Sequence, residues 1–412
     1  MLFNTLRIVA GLLGVALLSL GVLYGAHAAE NDIPPKNATL VYVGTYTGAP
    51  QNSKGIYLFW LRTEGKELST SPPLVALGVA AETPNPSFLT LDTKRRLLFC
   101  ANETDSFEGK PGGGVSAFSI DATTGKLKLI NQQSSKGGGP CQLVLDKTGR
   151  NLLVANYSDG TVAVLPVDAS GRLGEATCVV KDTGKGPNAK RQEGPHAHCV
   201  TMSPDNQFAF VCDLGIDKVM SYKFDAEHGK LIPNNSPFFS VKPGAGPRHL
   251  VFHPNGKFAY VINELDSTIT TLAYDAKAGA LSELQTVSSL PPYYHGPNTA
   301  GEIGIVPSGK FLFASNRGSD SVELFAVDPE KGTLTLAEDQ KSGGETPRHF
   351  GIQPSGEHLA ICNQNSYSIR LCRINATTGR LEPYEFFAVA PSPSCAVFLP
   401  PISGEKETGH NN

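Results

Sequence analysis

The sequence predicts an all-β chain closed into a seven-bladed β-propeller, and three observations predict it. Hydrophobic residues come in short strand-like runs along the whole chain. One unit recurs six times between residues 85 and 375. The two ends carry complementary fragments of a further unit. Gly 43 and Pro 30 together make 73 of 412 residues, above the ~12% of an ordinary chain, as many tight turns require. Length alone suggests two or three domains, but the repeat overrides that prior.

The unit is anchored on a turn at Thr93, Lys147, Pro204, Pro254, Pro307 and Pro354, with an incomplete copy at Pro400 and spacings of 54, 57, 50, 53, 47 and 46. One strand precedes each anchor and two follow it, as in Pro247-Arg248-His249-Leu250-Val251-Phe252 and Phe258-Ala259-Tyr260-Val261-Ile262-Asn263 around Pro254. The third strand runs into a second recurring turn that opens on Asp121, Asp168, Asp225, Asp275, Asp328 or Asn375 and closes on a glycine. The carboxylate or amide bonds its own turn backbone and the glycine supplies positive φ, so each is a hairpin leading to a fourth strand. Four antiparallel strands in about fifty residues is the size of a propeller blade. At the amino end, Leu40 to Thr45 and Gly55 to Leu61 read as the second and third strands of a blade without its first. At the carboxyl end, Ser392 to Pro400 reads as a first strand with nothing after it. Joining them closes the ring and removes the open sheet edges.

Residues 1–28 read as a signal peptide, with Arg7, the apolar run Ile8 to Tyr24 and the small-x-small site Ala26-His27-Ala28. The competing reading is an uncleaved anchor, since that run is at the short limit for a span. Residues 29–39 are then a linker, 40–400 the propeller and 401–412 a tail, and the expected compartment is the periplasm or the outside. Lys+Arg 35 against Asp+Glu 38, with only 18% charged residues, excludes a nucleic-acid binder and a polybasic membrane-surface protein. The closed ring is expected to be a monomer. Eight cysteines in an exported chain permit disulfides, with Cys199/Cys212 and Cys362/Cys372 the favoured pairs. The alternative is that all eight are small buried hydrophobes.

Register locates the chemistry. Nine residues past each anchor stand Asn102, Asn156, Asp213, Asn263, Asn316 and Asn363, a uniform set suited to scaffolding. The next position varies: Glu103, Tyr157, Leu214, Glu264, Arg317 and Gln364. Six residues before each anchor the series is Ser87, Cys141, His198, Arg248, Gly301, Arg348 and Ser394. Two rings placed by one geometry but different in every blade describe a ligand site at the axis. It gathers His198, Arg248, Glu264, Arg317 and Arg348, with His196, His249 and Glu103 nearby. Guanidinium forks match carboxylate or phosphate, so the arginines point to an anionic small molecule. The bland alternative is a set of structural ion pairs. His196-Ala197-His198 is too little for a metal site without a third ligand, and no cofactor is expected. No GxSxG elbow, Walker loop or HExxH motif is present.

From Leu40 to Pro400 the chain resembles the seven-bladed propeller lactonases, which include propeller-type 6-phosphogluconolactonases and 3-carboxy-cis,cis-muconate lactonising enzymes. The resemblance rests on Tyr42-Val43-Gly44-Thr45-Tyr46-Thr47, on Gly246-Pro247-Arg248-His249 with Asn263-Glu264-Leu265, and on Ser315-Asn316-Arg317-Gly318. It implies a lactone hydrolase for a sugar lactone or small anionic lactone, with His198, Arg248, Glu264 and Arg317 as catalytic positions. Arg348, His196, His249 and Glu103 are then substrate-binding. In that reading Glu264 or neutral His198 activates water while Arg248 and Arg317 hold the anion and the developing oxyanion. The chain departs from the family at Glu302-Ile303-Gly304, where a histidine is common, and in the longer excursion Thr183 to Glu193. A cycloisomerase of unsaturated dicarboxylates and a non-catalytic exported propeller are the other readings.

Overall fold

A computed structural model describes residues 33–48 and 52–401 of the chain. The expected signal peptide and nearly all of the tail lie outside the described residues. Seven antiparallel sheets are arranged as blades, each ordered from the axis outward, six of four strands and one, blade 6, whose outer strand is split in two, Leu381–Pro383 and Ala388–Val389. The six innermost strands that come first in the chain are Pro86–Asp92, Pro140–Leu145, Ala197–Met202, Pro247–Phe252, Ala300–Ile305 and Pro347–Ile352, which begin blades 1 to 6. Blade 7 takes its innermost strand, Pro393–Leu399, from the carboxyl end and its other three, Leu40–Thr45, Gly55–Leu61 and Leu74–Glu82, from the amino end. The expected closure by both termini is what the sheet order contains, with Leu40 paired to Leu399.

Second strands read as unbroken apolar runs because both of their faces are buried. In Leu97–Asn102, Leu97, Phe99 and Ala101 enter the cluster shared with blade 2, whereas Leu98 and Cys100 enter the cluster shared with blade 7. Seven such clusters fill the seven junctions between blades, so the core is a ring of interfaces and not a central mass. The outer hairpins seal these junctions. Gly279 has φ 60° and lies against Phe208 of the preceding blade, where an added Cβ would come within 2.3 Å of the ring. Asp275 caps the same turn by accepting from the Lys277 and Ala278 amides.

All eight cysteines are free thiols. Cys362 packs in the junction between blades 6 and 7 and Cys372 in that between blades 5 and 6, so the favoured bridge would join opposite faces of one sheet. Cys199 and Cys212 do stand opposite one another on adjacent strands, but as thiols in an apolar cluster. The small-hydrophobe reading therefore describes seven of the cysteines, and Cys178 is half-buried. Among the described residues no helix is long and apolar enough to cross a membrane.

Candidate active site

A β-bulge at the start of every innermost strand places the side chains of the axis. The register slips between Pro86 and Phe88, Pro140 and Gln142, Ala197 and Cys199, Pro247 and His249, Ala300 and Ile303, Pro347 and His349, and at the Pro393 to Cys395 step. The skipped residues include Ser87, Cys141, His198, Arg248, Gly301, Arg348 and Ser394, the first ring of the sequence reading. A bulged residue is freed from the pleat and re-aimed.

The second ring hangs from a repeated backbone bond. The amides of Glu103, Tyr157, Leu214, Glu264, Arg317 and Gln364 donate to the carbonyls of Asn85, Gly139, His196, Gly246, Thr299 and Thr346, just before or at the start of the innermost strands. In blade 7 the Tyr46 amide donates to the Ser392 carbonyl, so Tyr46 is the seventh member. The uniform Asn positions do scaffold work: the Nδ2 group of Asn156 donates to the Ser135 carbonyl at 3.1 Å, and that of Asn102 to the Pro84 carbonyl at 2.6 Å.

At the centre is Glu264, 2% exposed. Its Oε2 accepts from Arg317 Nη2 at 2.6 Å and from Arg248 Nε at 3.2 Å, while Oε1 accepts from Arg191 Nη2 at 2.6 Å. Burial would raise the Glu264 pKa, but the Arg317, Arg248 and Arg191 charges outweigh it and hold the carboxyl at about 2. Burial in turn brings Arg317 down to about 10. His198 Nε2 lies 4.0 Å from Glu264 Oε2. Burial, reinforced by Arg248, His249 and Arg348, pushes its pKa well below the usual imidazole value, so the ring is neutral. Four predicted catalytic residues are thus in one cluster.

The other predicted residues divide into three places. Arg348 lies across the axis with its guanidinium 5.2 Å from the Tyr46 ring centroid, and it has no ion pair among the described residues. Glu103 stands beside it and accepts from the Tyr46 hydroxyl at 2.8 Å. His249 belongs to a layer beneath: its Nε2 accepts from Arg248 Nη1 at 3.3 Å, and its Nδ1 donates to Glu302 Oε1 at 2.9 Å. The His349 Nε2 approaches the other Glu302 oxygen at 3.3 Å. His196 turns away from Glu264, with Nδ1 on the Tyr157 carbonyl at 2.8 Å and Nε2 3.3 Å from Glu193. A small axial cavity of ≈ 10 Å³, about the room for one water, is lined by Tyr46, Ser87, Glu103, Arg248, His249 and Arg348 among others. Phe88, edge-on to the His249 and His349 rings, separates it from an apolar funnel of ≈ 730 Å³ at the opposite end. No group of three His, Cys, Asp or Glu among the described residues is disposed to hold a metal ion.

Sequence reasoning missed Arg191, Tyr46, Glu302 and His349. Tyr46 was within reach, because extending the register to the split blade places it beside Thr45 in the second ring. Arg191 sits on the Thr183 to Glu193 excursion, which follows no repeat, so only the loop's length marked it.

Comparison with known proteins agrees with this geometry. Residues 40–398 match the family described as Lactonase, 7-bladed beta-propeller. A 6-phosphogluconolactonase of Bacillus subtilis is 36% identical over 358 residues, 87% of this chain and 97% of that protein. The crystal structure of a putative 6-phosphogluconolactonase from Bacteroides fragilis superposes with a TM-score of 0.78 at 34% identity, covering 89% of this chain and 99% of the other. A periplasmic gluconolactonase of Pseudomonas aeruginosa gives 0.79 at 34% identity, covering 89% and 100%. With the whole propeller matched and the axis built as described, the chain belongs to the seven-bladed β-propeller lactonase family.

Proposed function

We propose that this protein hydrolyses a sugar lactone or another small anionic lactone at the arginine-lined end of its channel. The observation that carries the reading is the charge balance there: the Glu264 carboxylate faces three guanidiniums, and a fourth, Arg348, stands beside Glu103 with no ion pair among the described residues, four cations against two anions. That surplus of positive charge suits a carboxylate or phosphate on the ligand and the oxyanion that forms during hydrolysis. The relatives named 6-phosphogluconolactonase and gluconolactonase support the same substrate class.

In this mechanism neutral His198 is the general base. Its lowered pKa keeps the ring unprotonated at neutral pH, whereas Glu264, held at about 2 and clamped by arginines, is a poor proton acceptor and serves to position them. Water adds to the lactone carbonyl as His198 takes its proton, and an arginine N–H group receives the oxyanion. Collapse breaks the ring C–O bond, and the same proton passes to the leaving alkoxide, giving the hydroxy acid. The glucono-δ-lactone class without phosphate fits an exported enzyme, in keeping with residues 1–28 as a cleaved signal peptide. Mass spectrometry of the mature protein should then find Ala29 at its amino end.

A pH-stat assay on glucono-δ-lactone with and without the 6-phosphate tests the reading. Turnover above spontaneous hydrolysis, lost in Arg317→Ala, is the expected result. Tight binding of these lactones without turnover would overturn it in favour of a ligand-binding propeller.

A further inference from the structure

One junction between blades carries two acids where three others carry a serine and an asparagine. At three junctions the residue that follows a fourth strand is a serine whose carbonyl accepts from the scaffold asparagine of the next blade: Ser135 with Asn156, Ser289 with Asn316, and Ser342 with Asn363. The serine amides bond alike, to the carbonyls of Gly113, Ser267 and Asp320. Between blades 2 and 3 the same two places hold Asp182, whose amide bonds to the Gly160 carbonyl, and Asp213. Two acids replace a serine and an asparagine together.

Both carboxyls are buried, at 4% and 0% exposure. Asp213 Oδ1 accepts from the His196 and Gly215 amides at 2.8 and 3.0 Å, and Asp182 Oδ1 accepts from the Tyr222 hydroxyl at 2.8 Å. The two carboxyls are neighbours, and the second oxygen of each is buried without a hydrogen-bond partner. A single proton between them satisfies both, whereas two ions there would leave two buried charges in contact.

The pair also stands at the root of a functional loop. The Thr183 to Glu193 excursion leaves the chain directly after Asp182, and returns at His196, whose amide Asp213 holds. In between, fully buried Gln192 donates to the Leu214 carbonyl at 2.9 Å and to Asp217 at 2.7 Å. The preceding residue, Arg191, reaches Glu264 at 2.6 Å and the Tyr157 hydroxyl at 3.2 Å.

We propose that Asp182 and Asp213 share one proton and, in that state, latch the root of the 183–196 loop so that Arg191 stays on Glu264. They are positioning residues, acting on the site through Arg191. The groups that face the pair are Tyr222 and Lys218 from the third strand of blade 3, the Cys212 thiol from its second strand, the Gly215 amide after it and the His196 amide from the loop. Lys218 is the one cation among them, and it is drawn over the Phe238 ring at 4.1 Å. Burial pushes both carboxyls up, Asp213 to about 8. The native state therefore holds a proton that the unfolded chain has lost from about pH 4 upward, so stability falls with rising pH across that window and levels off above 8. Removing the proton sets two carboxylates against each other and releases the root.

The latch is tested on the full mature protein by tryptic cleavage at Lys185, Lys190 and Arg191, normalised to a peptide substrate at each pH. Between pH 7 and pH 9 the ionised fraction of a group titrating near 8 rises about tenfold, and loop cleavage is expected to rise in proportion. Asp182→Ser with Asp213→Asn, which installs the pattern of those three junctions, should remove that rise, and Asp182→Asn alone serves if the double variant folds poorly. Equal pH dependence in wild type and variant would overturn the latch. Its effect on the reaction rests on the lactonase reading, where kcat/KM should fall above pH 8 in wild type and not in Arg191→Ala. Cleavage needs no turnover, so pH-gated cleavage in a protein without lactonase activity would sink that reading and leave the latch standing.

Discussion

Two arcs of the channel ring hang from the same backbone bonds and differ in how far their polar groups satisfy one another. On blades 3 to 5, His198, Arg248 and Arg317 close around the Glu264 carboxylate, with Arg191 reaching in from its loop, and of these guanidinium donors only Arg317 Nε is buried without a hydrogen-bond partner. On blades 6, 7 and 1, Arg348 has an aromatic ring and no ion-pair partner among the described residues, and the Ser87 hydroxyl is buried without a hydrogen-bond partner. The fold supplies seven equivalent positions, and the difference lies in what each blade attaches there. A closed cluster organises charge, while an open one leaves hydrogen-bonding capacity for a ligand. The first arc should therefore govern the chemical step and the second the grip on substrate.

Removing the base should show the largest effect. His198→Asn keeps a polar side chain in the first arc but cannot accept the water proton, so kcat should fall by about 10² to 10⁴ with KM little changed. In wild type the active form is neutral imidazole, and its pKa is pushed below 6.5. The acid limb of kcat/KM should then lie below pH 6.5, and a limb at or above that value would remove His198 from the role.

Glu264→Gln comes next, and it tests organisation. The substitution leaves Arg248 and Arg317 buried without their counter-charge, which costs about 3 to 5 kcal/mol of stability when one partner of a buried pair is removed. Turnover should fall by about 10² as the donors lose their places. Denaturant unfolding beside steady-state kinetics separates the two effects. An unchanged midpoint would mean that the arginines do not depend on Glu264.

The second arc should respond differently. Arg348→Ala deletes a guanidinium that holds no ion pair among the described residues, so the fold should tolerate it, while a charge-assisted bond worth about 1.5 to 3 kcal/mol to the ligand is lost. KM should rise about 10- to 100-fold with kcat nearly intact, and more for a phosphorylated lactone than for a neutral one. An equal rise for both would place the anionic group on the other arc.

Much of this contrast is legible in the sequence because propeller geometry repeats. The anchor spacing places His198, Arg248, Glu264, Arg317 and Arg348 at the axis, and the bulge at each innermost strand supplies the physical reason. What the repeat cannot reach is whatever breaks it. Arg191 comes from an insertion without register, and Glu302 with His349 sit one residue past the ring, where direction depends on the bulge. The pairing of cysteines failed for a related reason. Cys362 and Cys372 are near in sequence, but strand alternation sends them to different junctions. Spacing alone also does not distinguish a ligand-facing arginine from one closed on a carboxylate.

Tyr46→Phe should give the smallest change and would sharpen the boundary between the arcs. The ring remains under Arg348, so the cation–π contact at 5.2 Å is kept, and only the hydroxyl donated to Glu103 at 2.8 Å is lost. A hydrogen bond of this kind contributes about 0.5 to 1.5 kcal/mol net, or roughly 2- to 10-fold. If Tyr46 and Glu103 set the position of Arg348, that factor should appear in KM alone and vanish in an Arg348→Ala background, where there is no guanidinium left to place. If the factor persists in that background, Tyr46 touches the ligand itself, and the second arc holds two recognition groups where the geometry of the free protein identifies one.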